Sequence, residues 1–198
     1  MHLVLGLGNP GRRYDRTRHN AGFLVVDRLG GRWGGTVDRK QFGALVARAD
    51  IDGSAVVLAK PQTFMNCSGQ PTASLRGYYK VAPDDLVVVH DDVDIPFGQV
   101  RVKRGGGSGG HNGLRDIRRH LGDADFLRVR VGVSRPPAGS DTAAYVLGEW
   151  TSVEADALDS VVDRAADAVQ SVVKSGVIHA MNQFNVRPVP DGDRSEPS

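Results

Sequence analysis

Residues 6–22, GLGNPGRRYDRTRHNAG, constrain the fold more than any other stretch of the chain. They lie between two apolar runs, Leu3-Val4-Leu5 and Phe23-Leu24-Val25-Val26, and contain four arginines, two asparagines, a tyrosine and a histidine. A polar, glycine-rich connection between two buried elements is where a rigid scaffold presents its chemistry. The strand before it is expected over His2 to Leu7. The helix after it is expected from about Asn20 to Leu29, ended by Gly30-Gly31.

Gly6-x-Gly8-x-x-Gly11 after a strand matches the dinucleotide-binding fingerprint in letters. That fingerprint needs a helix opening at the glycines, with its N-terminus facing a pyrophosphate. Here Pro10-Gly11 leads into RRYDRTR, which has no apolar stripe, and Asp27 falls inside a helical pattern instead of at a strand end. The Rossmann reading is therefore weak. A Walker A loop is also excluded, because no GK[ST] follows the glycines of residues 105–110.

The rest of the chain alternates strands and helices. Ala44 to Ala49 and Ala55 to Ala59 read as a hairpin around Asp52-Gly53. Residues 61–69, PQTFMNCSG, read as a loop before a helix from about Pro71 to Tyr79. Leu86 to Val89 is a β-branched run suited to a strand buried on both faces. Val100 to Lys103 and Phe126 to Val133 are further strands, the second alternating Phe126, Arg128 and Arg130 against Leu127, Val129 and Val131, so that one face reads as basic. Between them a helix carries Leu114, Ile117 and Leu121 inward and Arg115, Arg118 and Arg119 outward. Thr151-x-x-Glu154 is a capping box for a helix over Val153 to Lys174, and Val177 to Phe184 forms a shorter one behind it. The pattern implies one α/β domain over residues 1–186, a twisted, mostly parallel mixed sheet flanked by helices. Residues 187–198 read as a disordered tail.

Charge is spread unevenly. Residues 12–48 hold nine Arg/Lys against three Asp, residues 99–130 eight against three, and residues 141–170 seven Asp/Glu against one Arg. A near-neutral chain of net charge +2 can thus present a basic face to an anion. Cys67 is the only cysteine, so an internal disulfide is excluded and a reducing, cytoplasmic setting is expected. No apolar run approaches a membrane span.

His19 is the first candidate for chemistry, with Asp91 as its orienting partner and Asp92 and Asp94 as competitors. An aspartate that accepts from one ring nitrogen fixes the tautomer and leaves the other as a base. Asn9, Asn66 and Asn112 are loop amides able to hold a water, a carbonyl or a peptide backbone. Cys67 and Ser108 are rival nucleophiles with no base beside them in sequence. No HExxH or paired-cysteine spacing supports a metal, and His90, His111 and His120 are scattered.

Together, GLGNPG-x-x-Y-x-x-T-R-H-N-x-G, KPQTFMN-x-SG, HDD-x-D-x-P-x-G and K-x-GGG-x-GGHNGL resemble the bacterial peptidyl-tRNA hydrolase family, from Leu3 to about Phe184 and in the same order. The resemblance implies hydrolysis of the ester between a peptide and the 3′ ribose of tRNA, with no metal or cofactor; a monomer with no membrane partner is expected. It implies His19 and Asp91 as the catalytic pair with Asn9 beside them. Tyr14, Met65, Asn66 and Asn112 would hold the peptide, and Arg101, Lys103 and Arg130 the tRNA. The chain departs in having HDD where many relatives have HDE, and Ser at position 108. A non-catalytic RNA-binding relative is the rival within the family, and the joint presence of His19, Asp91 and the three asparagines favours the enzyme.

Overall fold

The computed structural model describes residues 1–122 and 125–186; the tail expected over 187–198 lies outside them. A seven-stranded sheet forms the centre. Its strands are β1 (His2–Gly6), β2 (Arg39–Gln41), β3 (Ala44–Ile51), β4 (Ser54–Pro61), β5 (Leu86–Asp92), β6 (Val100–Arg104) and β7 (Leu127–Gly132), in the spatial order β2-β3-β4-β1-β5-β7-β6. β4, β1, β5 and β7 pair in parallel, and β3 and β6 run against them. The mixed, mostly parallel sheet is the one the alternation of elements implied. The three-residue edge strand β2 is too short to leave a periodic signal.

The helices are α1 (Ala21–Trp33), α2 (Gly69–Tyr79), α3 (Asn112–Leu121), α4 (Thr142–Val146), α5 (Ser152–Ser175) and α6 (Val177–Phe184). One core packs α1, α5 and α6 on the first face of the sheet through Val25, Leu29, Val161, Val169 and Val129. The other packs α2 and α3 on the opposite face through Leu75, Leu114, Ile117, Val88 and Phe126. The hairpin turn at Asp52-Gly53 has positive φ at both residues, 50° and 83°, matching the handedness of the β3–β4 twist. The capping box at Thr151 and Glu154 closes reciprocally.

Three expectations need correction. α1 does not stop at Gly30-Gly31 but runs to Trp33, because Gly30 lies so close to the Gly35 carbonyl that no Cβ would fit and Arg32 is tied to α5. Tertiary contact here outweighs the weak helix propensity of glycine. The buried strand does not end before His90-Asp91-Asp92 but contains all three residues. The basic face of β7 is not an open surface: Arg128 is buried and Arg130 half-buried.

The first two fingerprint glycines serve packing. A Cβ on Gly6 would sit 2.2 Å from the Gly22 carbonyl oxygen, so β1 and α1 touch backbone to backbone there. The helix opens at Ala21, ten residues after Gly11, which removes the dinucleotide reading.

Candidate active site

The C-terminal ends of β1 and β5, the loop after β4, the segment between β6 and α3, and α4 surround an open cleft of about 1010 Å³. The C-terminal edge of parallel strands is where such sheets place their sites. Asn9, Tyr14, His19, Met65, Asn66, Asp91, Lys103, Asn112 and Arg130 all line it. Arg101, expected with the tRNA contacts, does not, and Cys67 is an exposed residue outside it. Ser108 lines the cleft without a hydrogen bond to any base among the described residues.

His19 sits on a single 3₁₀ turn, Arg18–Asn20, anchored on both sides. On one side the buried Arg18 donates to Glu154 at 2.6 Å and to the Glu149 carbonyl at 2.8 Å, and its guanidinium lies 4.4 Å over the Tyr145 ring. On the other, the Asn20 amide bridges both backbone groups of Asn9, accepting from its N–H at 2.8 Å and donating to its carbonyl at 3.0 Å. The Asn9 side-chain oxygen in turn accepts from the Met65 N–H at 2.7 Å. That leaves the Asn9 amide NH₂ as its remaining donor group.

Of the three acids weighed from sequence, Asp91 is the one that meets His19. His19 Nδ1 stands 2.8 and 2.9 Å from its two oxygens, with His19 8% exposed and Asp91 2% exposed. Asp92 accepts from Arg130 Nε at 2.8 Å, and Asp94 pairs with Arg135 at 2.7 Å. A second histidine, His111, donates from Nε2 to Asp91 at 3.1 Å. His111 is the N-cap of α3, its Nδ1 accepting from the Leu114 N–H, so the cap assigns the proton to Nε2. Sequence reasoning left His111 among scattered histidines. The available signal was its place at the start of a helix, directly after the glycines.

Burial by itself would raise the Asp91 carboxyl, but His19 and His111 hold it well below the usual carboxylate range. His90, fully buried beside them, is pushed down to about 3 by burial and then by His111. Its Nδ1–H donates to the Asp91 carbonyl at 2.7 Å, and its Nε2 has no partner. The ligand atoms of His19, Asp91 and His111 lie within 4.8 Å of one another. Both imidazoles are engaged with the Asp91 carboxylate there, through His19 Nδ1 and His111 Nε2.

Asn66 and Asn112 are both exposed in the cleft wall. Asn112 accepts from Arg115 at 2.6 Å, which leaves its NH₂ to donate. The loop carrying Met65 and Asn66 is tied down through Gly69, whose N–H donates to the buried Asp116 of α3 at 2.7 Å. Tyr14 meets Phe64 edge to face at 6.5 Å.

A family model described as Peptidyl-tRNA hydrolase matches residues 3–192. A peptidyl-tRNA hydrolase of Geobacillus kaustophilus is 45% identical over 185 residues, covering 93% of this chain and 100% of that protein. One of Frankia casuarinae is 50% identical, covering 92% and 93%. The crystal structure of peptidyl-tRNA hydrolase from Acinetobacter baumannii superposes with a TM-score of 0.87 at 39% identity, over 94% of this chain and 95% of that one.

Proposed function

The chain belongs to the peptidyl-tRNA hydrolase family, and on that premise we propose that it cleaves the ester between peptide and tRNA 3′ ribose with His19 as general base. The observation that carries this reading is His19 Nδ1 held against both oxygens of Asp91, which leaves Nε2 unprotonated at the cleft. Nε2 takes a proton from water as its oxygen attacks the ester carbonyl. The imidazolium so formed is stabilised by Asp91, which stays ionised at any working pH. The tetrahedral intermediate then collapses: the bond to the ribose oxygen breaks, and His19 returns the proton to that oxygen. General-base assistance of this kind contributes about 10²–10⁴-fold.

The Asn9 NH₂ is the donor for the developing oxyanion, a contribution of about 3–4 kcal/mol where such donors are preorganised. Its preorganisation comes from Asn20 and Met65, which occupy every other polar group of Asn9. Asn66 and Asn112 bind peptide main-chain groups, which every sequence offers alike, between the Tyr14 and Met65 walls. Lys103 and Arg130 meet tRNA phosphates, with Arg101 outside the cleft as the weakest of the three. One chain supplies every group named here, and the enzyme is read as a monomer; the single cysteine fits a reducing, cytoplasmic setting. Among the described residues no helix is long and apolar enough to cross a membrane.

The test is release of peptide from N-blocked aminoacyl-tRNA. His19→Ala should lose at least about 10²-fold in turnover while retaining tRNA binding. Near wild-type turnover in His19→Ala would remove the general-base reading, and a trapped acyl-enzyme at Ser108 would replace it with a covalent one.

A further inference from the structure

Register pairs Arg101 with Arg130 and Lys103 with Arg128 across β6 and β7. In an antiparallel pair, residues directly opposite share a face, so four cations crowd one face of two adjacent strands. Like charges so placed repel. Arg130 is relieved by Asp92. Arg128 is not: it is 3% exposed, and among the described residues no carboxylate forms an ion pair with it. Burial, then Arg118 and Arg130, push its guanidinium down to about 10. A buried cation without a counter-ion is costly.

What Arg128 holds instead is the glycine-rich segment. Its two terminal nitrogens donate to the Gly106 and Gly107 carbonyls, each at 2.6 Å, and its Nε has no partner. The peptide unit is planar, and no cis bond occurs among the described residues. With both carbonyls turned toward Arg128, the N–H groups of Gly107 and Ser108, on the far side of the same peptide units, are turned away from it. Neither N–H meets an acceptor among the described residues. Both residues line the cleft, as do Lys103 and Arg128. Lys103 lies along the same segment, its ammonium 2.6 Å from where a Cβ on Gly106 would stand, and Gly106 has a φ of 96°. Only glycine combines that backbone with that contact.

We propose that the Gly107 and Ser108 backbone N–H groups, oriented by Arg128, form a phosphate-binding site for the RNA part of the substrate. This rests on the reading of the cleft as a peptidyl-tRNA site and adds a main-chain receptor to its cationic side chains. Successive main-chain N–H groups in a turn make an anion-binding concavity. The charge on Arg128 polarises the two peptide units toward that role. Arg128 is a positioning residue: it acts through the segment it grips.

The experiment is an amide ¹H–¹⁵N titration of the full chain with inorganic phosphate and, separately, with an RNA stem-loop. The Gly107 and Ser108 amides should move with both, at far lower concentration for the RNA. Arg128→Lys keeps the charge but cannot grip two carbonyls, and should weaken RNA binding about fivefold, the worth of one hydrogen bond. It should also shrink the movement of those two amides, whereas Lys103→Ala should weaken binding and preserve that movement at saturation. RNA binding to the wild-type chain with both amides unmoved overturns the proposal, and this arm needs no variant to fold. Arg128→Lys binding RNA as the wild type does, with the same amide movement, overturns it too. If the amides respond while His19→Ala still hydrolyses, the site stands and the general-base reading falls.

Discussion

The arginines of α1 and the cations around the glycine-rich segment come from stretches with similar surpluses, six for residues 12–48 and five for 99–130. In the first stretch Arg28 and Arg32 are spent on Asp159, Asp163 and Asp167 of α5, and Arg18 on Glu154. The acidic surplus of residues 141–170 thus supplies the counter-charge of α1 through Asp159, Asp163 and Asp167. In the second stretch Lys103 and Arg128 meet no carboxylate among the described residues, and both line the cleft. Among the described residues each stretch has three cations in ion pairs, Arg104, Arg119 and Arg130 being those of the second. The difference is that a cation neutralised inside the fold has little field left to attract an anion, whereas Lys103 and Arg128 keep theirs at the cleft. Surplus charge marks a binding face only where the fold leaves it unpaired.

The largest effect is expected of Arg18→Met. It leaves Glu154 without its cation in a nearly buried pair, and removing one partner of such a pair costs about 3–5 kcal/mol, read as a shift in the denaturant midpoint. A small loss would mean that the first stretch is not structural after all.

Protons give a second probe, at His90 beneath the cleft. Its folded pKa, about 3, is depressed from 6.5, with Asp91, Asp92 and His111 facing it. A depressed group stabilises fully above its unfolded pKa, and that stability drains as pH falls toward the folded value. The loss should therefore begin near pH 6.5 and reach about 2–3 kcal/mol by about pH 4.5. Asp91 adds its own loss of the same sign only below about pH 4. In His90→Gln the slope of melting temperature against pH over that window should flatten, and an unchanged slope would show that another group drives it.

Lys103→Ala tests the unpaired stretch directly. It should raise KM for peptidyl-tRNA about three- to tenfold with little change in kcat, and lower the slope of log K against log salt by about 0.7–0.9. An unchanged salt slope would deny that the ammonium meets a phosphate. The smallest effect belongs to Arg28→Ala, whose partners are exposed. Stability should fall by less than about 1 kcal/mol and KM should not move; a rise in KM would place α1 on the RNA face.

Local signals carried much of this structure. Asp52-Gly53 specified its turn, Thr151 with Glu154 specified the start of α5, and the run at Leu86 specified a central strand, because each rests on neighbours within a few residues. The end of α1 was not legible, since Gly30-Gly31 is a stop by propensity and only contact with Gly35 and α5 carries the helix on. The exposure of Cys67 and the burial of Arg128 were equally invisible: alternation tells which face a side chain takes, but not what covers that face.

Residue order and local pattern were enough for a mixed α/β sheet, a polar connection after the first strand, and motifs whose order matches one family. The tertiary structure alone decided that Asp91 and not Asp92 or Asp94 meets His19, that His111 joins them, and that Arg128 turns inward to grip two carbonyls. Those choices join residues 20 to 72 positions apart. Such contacts depend on strand register and helix placement, which the whole core fixes and no short window of sequence contains.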